Sequence, residues 1–130
     1  MLTNLNTTHI VYALLFILAL WLIAPAIAGS GNAKQAALAW PMIENGALLI
    51  DVRTQGEFDA GHLDGAINIS WEETNALMDA IGEDKDRPVV VYCRSGNRSG
   101  MSKKALDAKG YTNIFNGTGF EALKATRPQL

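Results

Sequence analysis

Cys93 is the only cysteine of the chain, and it directly follows an apolar, β-branched run at residues 89–92. The residues after it are polar and include Gly96 and two arginines, Arg94 and Arg98. A thiol attacks as the thiolate, and its pKa falls when backbone N–H groups, a helix N-terminus and cations surround it. Because glycine tolerates positive φ, this loop can curl its amides towards the sulfur. The pattern therefore predicts a nucleophilic cysteine, and it is poorly explained by a buried structural cysteine.

The loop after the cysteine also predicts the binding residues. Asn97 or Ser99 is expected to cap the helix that follows, because both side chains can accept hydrogen bonds from helical N–H groups. We expect the loop to bind an anionic substrate through residues Arg94, Ser95, Gly96, Asn97, Arg98 and Ser99.

Strands and helices alternate along the chain. The patterns predict strands at residues 48–52, 66–69, 89–92 and 113–115, and helices at 33–43, 55–60, 72–81, 99–109 and 120–125. Pro41 is expected to end or kink the first of these helices. Strands separated by helices pair in parallel, with helices on both faces, and ligands bind at the carboxyl ends of such strands. The fold class is therefore α/β, with Cys93 at a strand end where a ligand is expected.

Three further residues are possible substrate contacts. Asp51 and Arg53 end the first strand on the same side of the predicted sheet as Cys93, and Trp71 follows the second strand. For Asp51 and Arg53 a structural ion pair between the strand and its loop is the favoured interpretation. Glu57, on the short helix, is expected to pack there with its carboxylate near the loop amides.

The first 28 residues predict the compartment. Residues 10–23 are apolar apart from Tyr12, Pro25 interrupts the run, and Ala26-Ile27-Ala28 offers a small-residue cleavage site before the linker 29–32. This layout is typical of a secretory signal peptide, and cleavage is favoured. An uncleaved inner-membrane anchor is the alternative, since residues 10–28 are long enough to cross a bilayer. The predicted organisation is a signal peptide or anchor at 1–28, a linker and helix at 29–46, and a domain at 47–130, periplasmic or secreted.

Composition limits the other possibilities. The chain has 130 residues, of which 48% are hydrophobic, and its formal net charge is −2. About 100 residues remain after the N-terminal segment, enough for one core. The mixed charges form no basic patch, so a nucleic-acid partner is not expected. A lone cysteine and no Cys/His cluster predict no structural metal, and no cofactor is expected.

Several stretches of this sequence resemble the motifs of the rhodanese sulfurtransferases. The Cys93 loop is similar to the active-site loop of that family, and the stretches 49–53, 57–58, 61–63 and 65–69 are similar to its first strand, short helix and second strand. A weaker similarity runs through residues 109–119. The resemblance implies a small α/β domain that moves a sulfane sulfur through a persulfide on Cys93. It also favours Arg98 over Arg94 as the substrate-binding arginine.

That family usually opens with one more short strand, for which this sequence has no good candidate after Gly29. We therefore expect four or five parallel strands, with the sheet edge covered by residues 33–43 if there are four. The implied partners are a small sulfur donor such as thiosulfate and a thiol or cyanide acceptor. Contact with a membrane is expected only through an uncleaved N-terminal segment, and the oligomeric state is left open.

Two alternative functions remain. A persulfide carrier or sensor with little turnover would use the same Cys93. A cysteine phosphatase or arsenate reductase also uses a Cys loop that ends in Arg at a helix N-terminus. Those enzymes need one residue more than the four that separate Cys93 from Arg98 here, so the shorter loop favours a single sulfur over a phosphate.

Overall fold

The computed structural model describes the backbone of residues 7–129 and, within them, all side chains except those of residues 16–31. The chain divides into two compact units, Met1–Gly31 and Asn32–Leu130. In the first unit, residues 7–15 are helical and exposed. Side chains are not described for most of the predicted signal peptide or anchor, including its cleavage site, and both the signal peptide and the anchor remain predictions. No helix within the described part of the chain has the length and apolar composition needed to cross a membrane.

The first helix, α1, spans Thr7–Glu44 and contains the predicted linker at residues 29–32. Pro41 was expected to end or kink this helix. It does not end the helix, since α1 continues to Glu44. Proline removes one helical hydrogen bond, to the carbonyl of Ala37. Because Ala37 is exposed, water can take that bond. The helix ends at Glu44, two residues before Gly46, which has a φ of 93°.

The second unit is built on a four-stranded parallel sheet in the order β2-β1-β3-β4. The strands are β1 (Leu48–Asp51), β2 (Ile67–Asn68), β3 (Val89–Cys93) and β4 (Ile114–Gly119). Four helices follow α1: α2 (Gln55–Ala60), α3 (Thr74–Ile81), α4 (Asn97–Ala108) and α5 (Phe120–Thr126). The α/β fold is thus confirmed, and four of the allowed four or five strands are present among the described residues.

The side chains of β3 alternate between two cores, as a strand requires. Val89, Val91 and Cys93 face the core that includes Leu77 of α3 and Leu106 of α4. Val90 and Tyr92 face the other core, which includes residues of α1 and α5: Ala36, Ala39, Trp40 and Leu123. Helices therefore cover both faces of the sheet, and Cys93 lies on the face covered by α3 and α4.

The part of α1 in the second unit also reaches the edge strand. Gln35 Nε2 donates to the carbonyl of Asn116 in β4, over 3.3 Å. Asn32 Nδ2 donates to the carbonyl of Ser95 over 3.4 Å, and its own carbonyl accepts from Thr118 Oγ1 over 3.3 Å. Of these three contacts only the one from Gln35 belongs to the 33–43 segment, which packs on the face of the sheet through Ala36, Ala39 and Trp40. The expectation that this segment would cover the sheet edge is therefore met only at Gln35.

Strand β4 extends four residues beyond the predicted end at residue 115. Glycine has a low strand propensity, which hides this extension in the sequence. The structure shows why glycine is needed at two of these positions. A Cβ on Gly117 would lie 3.0 Å from Val90 Cγ1, and one on Gly119 would lie 2.5 Å from the carbonyl oxygen of Arg94. The end of β4 is therefore in backbone contact with the loop that follows Cys93.

Replacing Gly119 by alanine is expected to destabilise the domain by about 2 kcal/mol, because the new methyl meets a backbone carbonyl that cannot rotate away. Urea unfolding of the second unit, followed by circular dichroism, measures the change. Gly56→Ala is the matched control, because a Cβ there has no neighbour within 4 Å. Equal stability of the two variants would contradict the close approach of β4 to the loop.

Candidate active site

Cys93 is the last residue of the buried strand β3, and none of its surface is exposed to solvent. The backbone N–H of Gly96 donates to Cys93 Sγ over 3.0 Å. Ser99 Oγ lies 3.4 Å from the same sulfur. The thiol is therefore enclosed by the loop and by the first turn of α4, at the carboxyl edge of the sheet.

Gly96 makes this enclosure possible. Its φ of 99° is in the left-handed region, and it is the N-cap of α4 without a side-chain cap hydrogen bond. A Cβ at this position would also lie 3.2 Å from the Cα of Thr118. The prediction that Asn97 or Ser99 would cap the helix was wrong, because Gly96 is the N-cap and α4 begins at Asn97, two residues before Ser99.

Two opposing effects set the acidity of the thiol. Burial raises the pKa of Cys93, because a thiolate is costly in a dry environment. The pKa is lowered by the Ser99 hydroxyl whenever that group donates to the sulfur, and by hydrogen bonds from the backbone N–H groups of Ser99, Ser95 and Gly96. The donors outweigh burial, so the pKa lies below the ordinary value for cysteine. The site therefore favours the reactive form of the sulfur.

Arg98 is held by Glu57 in a two-pronged ion pair. Arg98 Nη1 and Nη2 donate to the two carboxylate oxygens of Glu57 over 2.7 and 2.9 Å. Glu57 belongs to a capping box with Thr54 at the start of α2. Arg98 is the main cause that lowers the pKa of Glu57 to about 2, and Glu57 in turn raises the pKa of Arg98. The Glu57 carboxylate accepts from the backbone N–H of Thr54, in the loop before α2, over 3.3 Å, and it joins this loop to Arg98.

Arg94 points into a different environment. It is exposed, and it lines a cleft of about 270 Å³ together with Arg53, Glu57, Phe120 and other residues. Asn97 and Ser95 are also exposed on the loop. Of the predicted binding residues, Gly96, Ser99, the Ser95 amide and the Arg98 guanidinium therefore interact with the sulfur. Arg94 lies instead at the wall of the neighbouring cleft.

Asp51 and Arg53 form the structural pair that the sequence favoured. Both are buried, and Arg53 Nη2 lies 2.7 Å from Asp51 Oδ2. The same nitrogen donates to the carbonyl of Gly61 over 2.7 Å, which ties the strand end to the loop after α2. The guanidinium also lies over the ring of Phe120, 4.6 Å from its centroid. Trp71 is half-buried against the core that contains Cys93.

Sequence reasoning missed Asn116 as a part of this site. Its Oδ1 lies 2.7 Å from Ser99 Oγ, and its Nδ2 donates to the carbonyl of Gly96 over 3.0 Å. Oδ1 also accepts from the backbone N–H of Thr118 over 2.9 Å. A polar residue at the end of a strand next to the cysteine strand was the only signal in the sequence. That signal could be used only once β4 was known to extend to Gly119.

Glu57→Gln is expected to lower the free energy of unfolding at pH 7 by about 1 kcal/mol, because it weakens a two-pronged, partly exposed ion pair. The pKa of Glu57 is depressed in the folded state, so its stabilising effect is complete above the ordinary value of 4.5 and is lost as the pH falls to about 2. Urea unfolding of both proteins at several pH values should show the two stabilities converging over that range.

Asp107→Asn is the matched control, because Asp107 pairs with Lys103 on the exposed side of α4. We expect it to change stability by less than about 0.5 kcal/mol. A difference between Glu57→Gln and wild type that stays constant down to pH 2 would contradict the ion-pair assignment.

Comparison with known proteins agrees with this geometry. The family model described as "Rhodanese-like domain" matches residues 35–125. The chain is 38% identical over 72 residues to thiosulfate sulfurtransferase PspE of Escherichia coli, covering 55% of this chain and 69% of that protein. It is 33% identical over 88 residues to thiosulfate sulfurtransferase GlpE of Pseudomonas syringae, covering 66% of this chain and 80% of that protein.

Solved structures show the same similarity. A structure described as rhodanese with anions from E. coli superposes with a TM-score of 0.57 at 33% identity, covering 65% of this chain and 96% of that one. The Rhodanese_3-like domain of an Anabaena protein superposes with a TM-score of 0.54 at 25% identity, covering 65% of this chain and 99% of that one. With its parallel sheet, its loop around a single cysteine and these relatives, the chain belongs to the rhodanese-like domain family.

Proposed function

We propose that the protein is a sulfurtransferase that carries a sulfane sulfur on Cys93. The observation that supports this most directly is the set of backbone donors directed at Cys93 Sγ, in a chain whose relatives include proteins named thiosulfate sulfurtransferase. A ring of amides stabilises a sulfur anion without needing a cofactor or a second nucleophile.

The proposed first step uses thiosulfate as the donor. The Cys93 thiolate attacks the outer sulfur, a bond forms between Sγ and that sulfur, and the bond to the sulfite sulfur breaks. Sulfite leaves with the bonding electron pair, and Cys93 becomes a persulfide. In the second step an acceptor nucleophile, such as cyanide or a thiolate, attacks the outer sulfur and Cys93 leaves as a thiolate.

The loop stabilises the charged sulfur during both steps. The N–H of Gly96 already donates to Sγ over 3.0 Å, and α4 begins directly after Gly96 with its positive end towards the loop. A helix N-terminus of this kind typically contributes about 0.3–2 kcal/mol to an adjacent anion. These donors are positioned before the reaction, so no reorganisation is required when charge develops.

Arg94, and not Arg98, is proposed to meet the anionic donor. Arg98 is engaged by both oxygens of Glu57, which neutralise its charge. Arg94 is exposed at the cleft next to Phe120. This reverses the preference for Arg98 that the family resemblance suggested, and the reason is an ion pair between residues that lie 41 positions apart in the sequence.

The central test is the mass of the second unit, Asn32–Leu130, after brief exposure to thiosulfate, with released sulfite assayed in parallel. Wild type is expected to gain one sulfur atom, and cyanide should remove it as thiocyanate. Cys93→Ser should gain nothing, because the only thiol of the chain is then missing. A folded wild-type protein that takes up no sulfur and releases no sulfite would contradict the proposal.

Turnover separates the two proposed modes of action. An enzyme is expected to release sulfite continuously when thiosulfate and cyanide are both present. A carrier or sensor would load one sulfur and discharge it only slowly. Release of phosphate from aryl phosphates, with no sulfur adduct, would instead support the phosphatase alternative.

Arg94→Ala is expected to raise KM for thiosulfate about fivefold with a smaller change in kcat, equivalent to the loss of about 1 kcal/mol of anion binding. Steady-state sulfite release at low salt measures both constants. Arg127→Ala is the matched control, because Arg127 pairs with the exposed Asp64 on another part of the surface. If Arg94→Ala leaves KM unchanged, the donor does not bind at this side of the loop.

A further inference from the structure

The side-chain amide of Asn116 has only one possible orientation. Its Nδ2 lies 3.0 Å from the carbonyl oxygen of Gly96, and its Oδ1 lies 2.9 Å from the backbone nitrogen of Thr118. A backbone carbonyl can only accept a hydrogen bond, and a backbone N–H can only donate one. Exchanging the two atoms of the amide would break both contacts, so Oδ1 must be the atom that faces Ser99.

This orientation determines where the Ser99 hydroxyl proton lies. Ser99 Oγ is 2.7 Å from Asn116 Oδ1, which has no proton to give, so Ser99 is the donor in this bond. A hydroxyl has a single proton. Ser99 is fully buried, so the residue is shielded from bulk water. With its proton on Asn116, Ser99 presents a lone pair to Cys93 Sγ at 3.4 Å.

The side-chain hydrogen bonds from Cys93 to Ser99 and from Ser99 to Asn116 favour a neutral thiol, in opposition to the backbone N–H groups that favour the thiolate. The Cys93 S–H can donate to Ser99, and Ser99 donates to Asn116, so each group has a partner. A thiolate has no proton to donate. The Ser99 hydroxyl must then either turn from Asn116 to the sulfur, which leaves two oxygens facing each other over 2.7 Å, or keep a lone pair against an anion. Either choice forfeits a buried hydrogen bond.

We propose that Asn116 is a positioning residue that tunes the protonation of Cys93 by competing with the sulfur for the hydroxyl proton of Ser99. This competition favours the protonated thiol, whereas the hydrogen bond from the Gly96 N–H favours the anionic sulfur. This inference rests on the proposed function only in treating Cys93 as the reacting thiol.

The same competition acts on the persulfide, whose Sγ also lacks a proton. When a thiol acceptor takes the outer sulfur, the bond between Sγ and that sulfur breaks and a new bond to the acceptor sulfur forms. The acceptor's proton moves to Cys93, which then donates to Ser99 again. Asn116 would therefore favour discharge of the sulfur and return of the free thiol.

Other charges near the thiol remain in place when Asn116 is changed. The guanidinium of Arg98 on α4 interacts with Cys93, and Glu57 on α2 is paired with that guanidinium. Arg94 is the next residue in the chain, and the paired Asp51 and Arg53 lie at the end of β1, the neighbouring strand. Asn116 also contacts the Gly96 carbonyl, and Gly96 donates to the sulfur, so a comparison in the Ser99→Ala background is needed to assign a change in titration to the path through Ser99.

The test is the rate of alkylation by iodoacetamide as a function of pH, which reports Cys93 alone because it is the only thiol. The pH midpoint of the profile reports the pKa, and its plateau at high pH reports access to the sulfur. In Asn116→Ala, Ser99 loses its acceptor at 2.7 Å, and the sulfur at 3.4 Å then competes with the Thr118 carbonyl at 3.5 Å for the hydroxyl proton. The midpoint is therefore expected to fall, with a roughly fivefold higher rate at pH 7 and a similar plateau.

Ser99→Ala supplies the second arm of a double-mutant cycle. In the Ser99→Ala background, Asn116→Ala is expected to change the rate at pH 7 by less than about twofold, because the proton under competition is gone. Asn113→Ala is the matched control, since Asn113 donates to the Asp86 carbonyl before the start of β4. It is expected to leave the profile unchanged.

The inference is overturned if Asn116→Ala raises the midpoint or leaves it in place, or if its effect persists in the Ser99→Ala background. Should the alanine variant fail to fold, Asn116→Asp keeps the acceptor atom and adds negative charge. Its midpoint should rise with the plateau preserved, and a fall would overturn the inference. Wild type that shows these titrations but accepts no sulfur from thiosulfate would contradict the proposed function and leave the role of Asn116 standing.

Discussion

The structure depends on one constraint: the Cys93 sulfur must be stabilised as an anion although it is buried at the carboxyl edge of the sheet. Cys93 is fully buried, and burial alone opposes ionisation. The domain offsets that cost with donors that belong to the backbone, chiefly the N–H of Gly96 at 3.0 Å. Backbone donors are held by the fold itself, so the sulfur's environment is as rigid as the junction between β3 and α4.

That junction is shaped by close backbone approach. Gly96 takes up a left-handed conformation and lies against Thr118, and Gly119 lies against the Arg94 carbonyl. The loop is thus pressed onto the end of β4 with no side chain between them. Asn116 of β4 also joins this strand to the loop and to α4, through hydrogen bonds with Gly96 and Ser99. The amides can be directed at the sulfur because the end of β4 supports the loop.

The charged groups around the loop have divided roles. Arg98 and Glu57 neutralise each other and join the first turn of α4 to the first turn of α2. Asp51 and Arg53 do the same between β1 and the loop at Gly61. Both pairs stabilise the frame of the site, and Arg94 is left at the cleft wall, where a mobile anion can reach it. A short stretch of sequence with two arginines therefore contains one structural and one accessible cation.

Much of this could be predicted from the sequence. The apolar runs and the helical patterns between them determine a parallel sheet with helices on both faces, because only that arrangement buries each run. The position of Cys93 at a strand end followed from the change of hydrophobic residues to polar ones. The tertiary structure alone decided the partners. Arg98 meets Glu57 and Ser99 meets Asn116 because α2 and β4 come next to α4 in space, although they are 41 and 17 residues away in sequence. Hydrogen bonds and ion pairs act over a few ångströms, so their partners are set by packing and not by position along the chain.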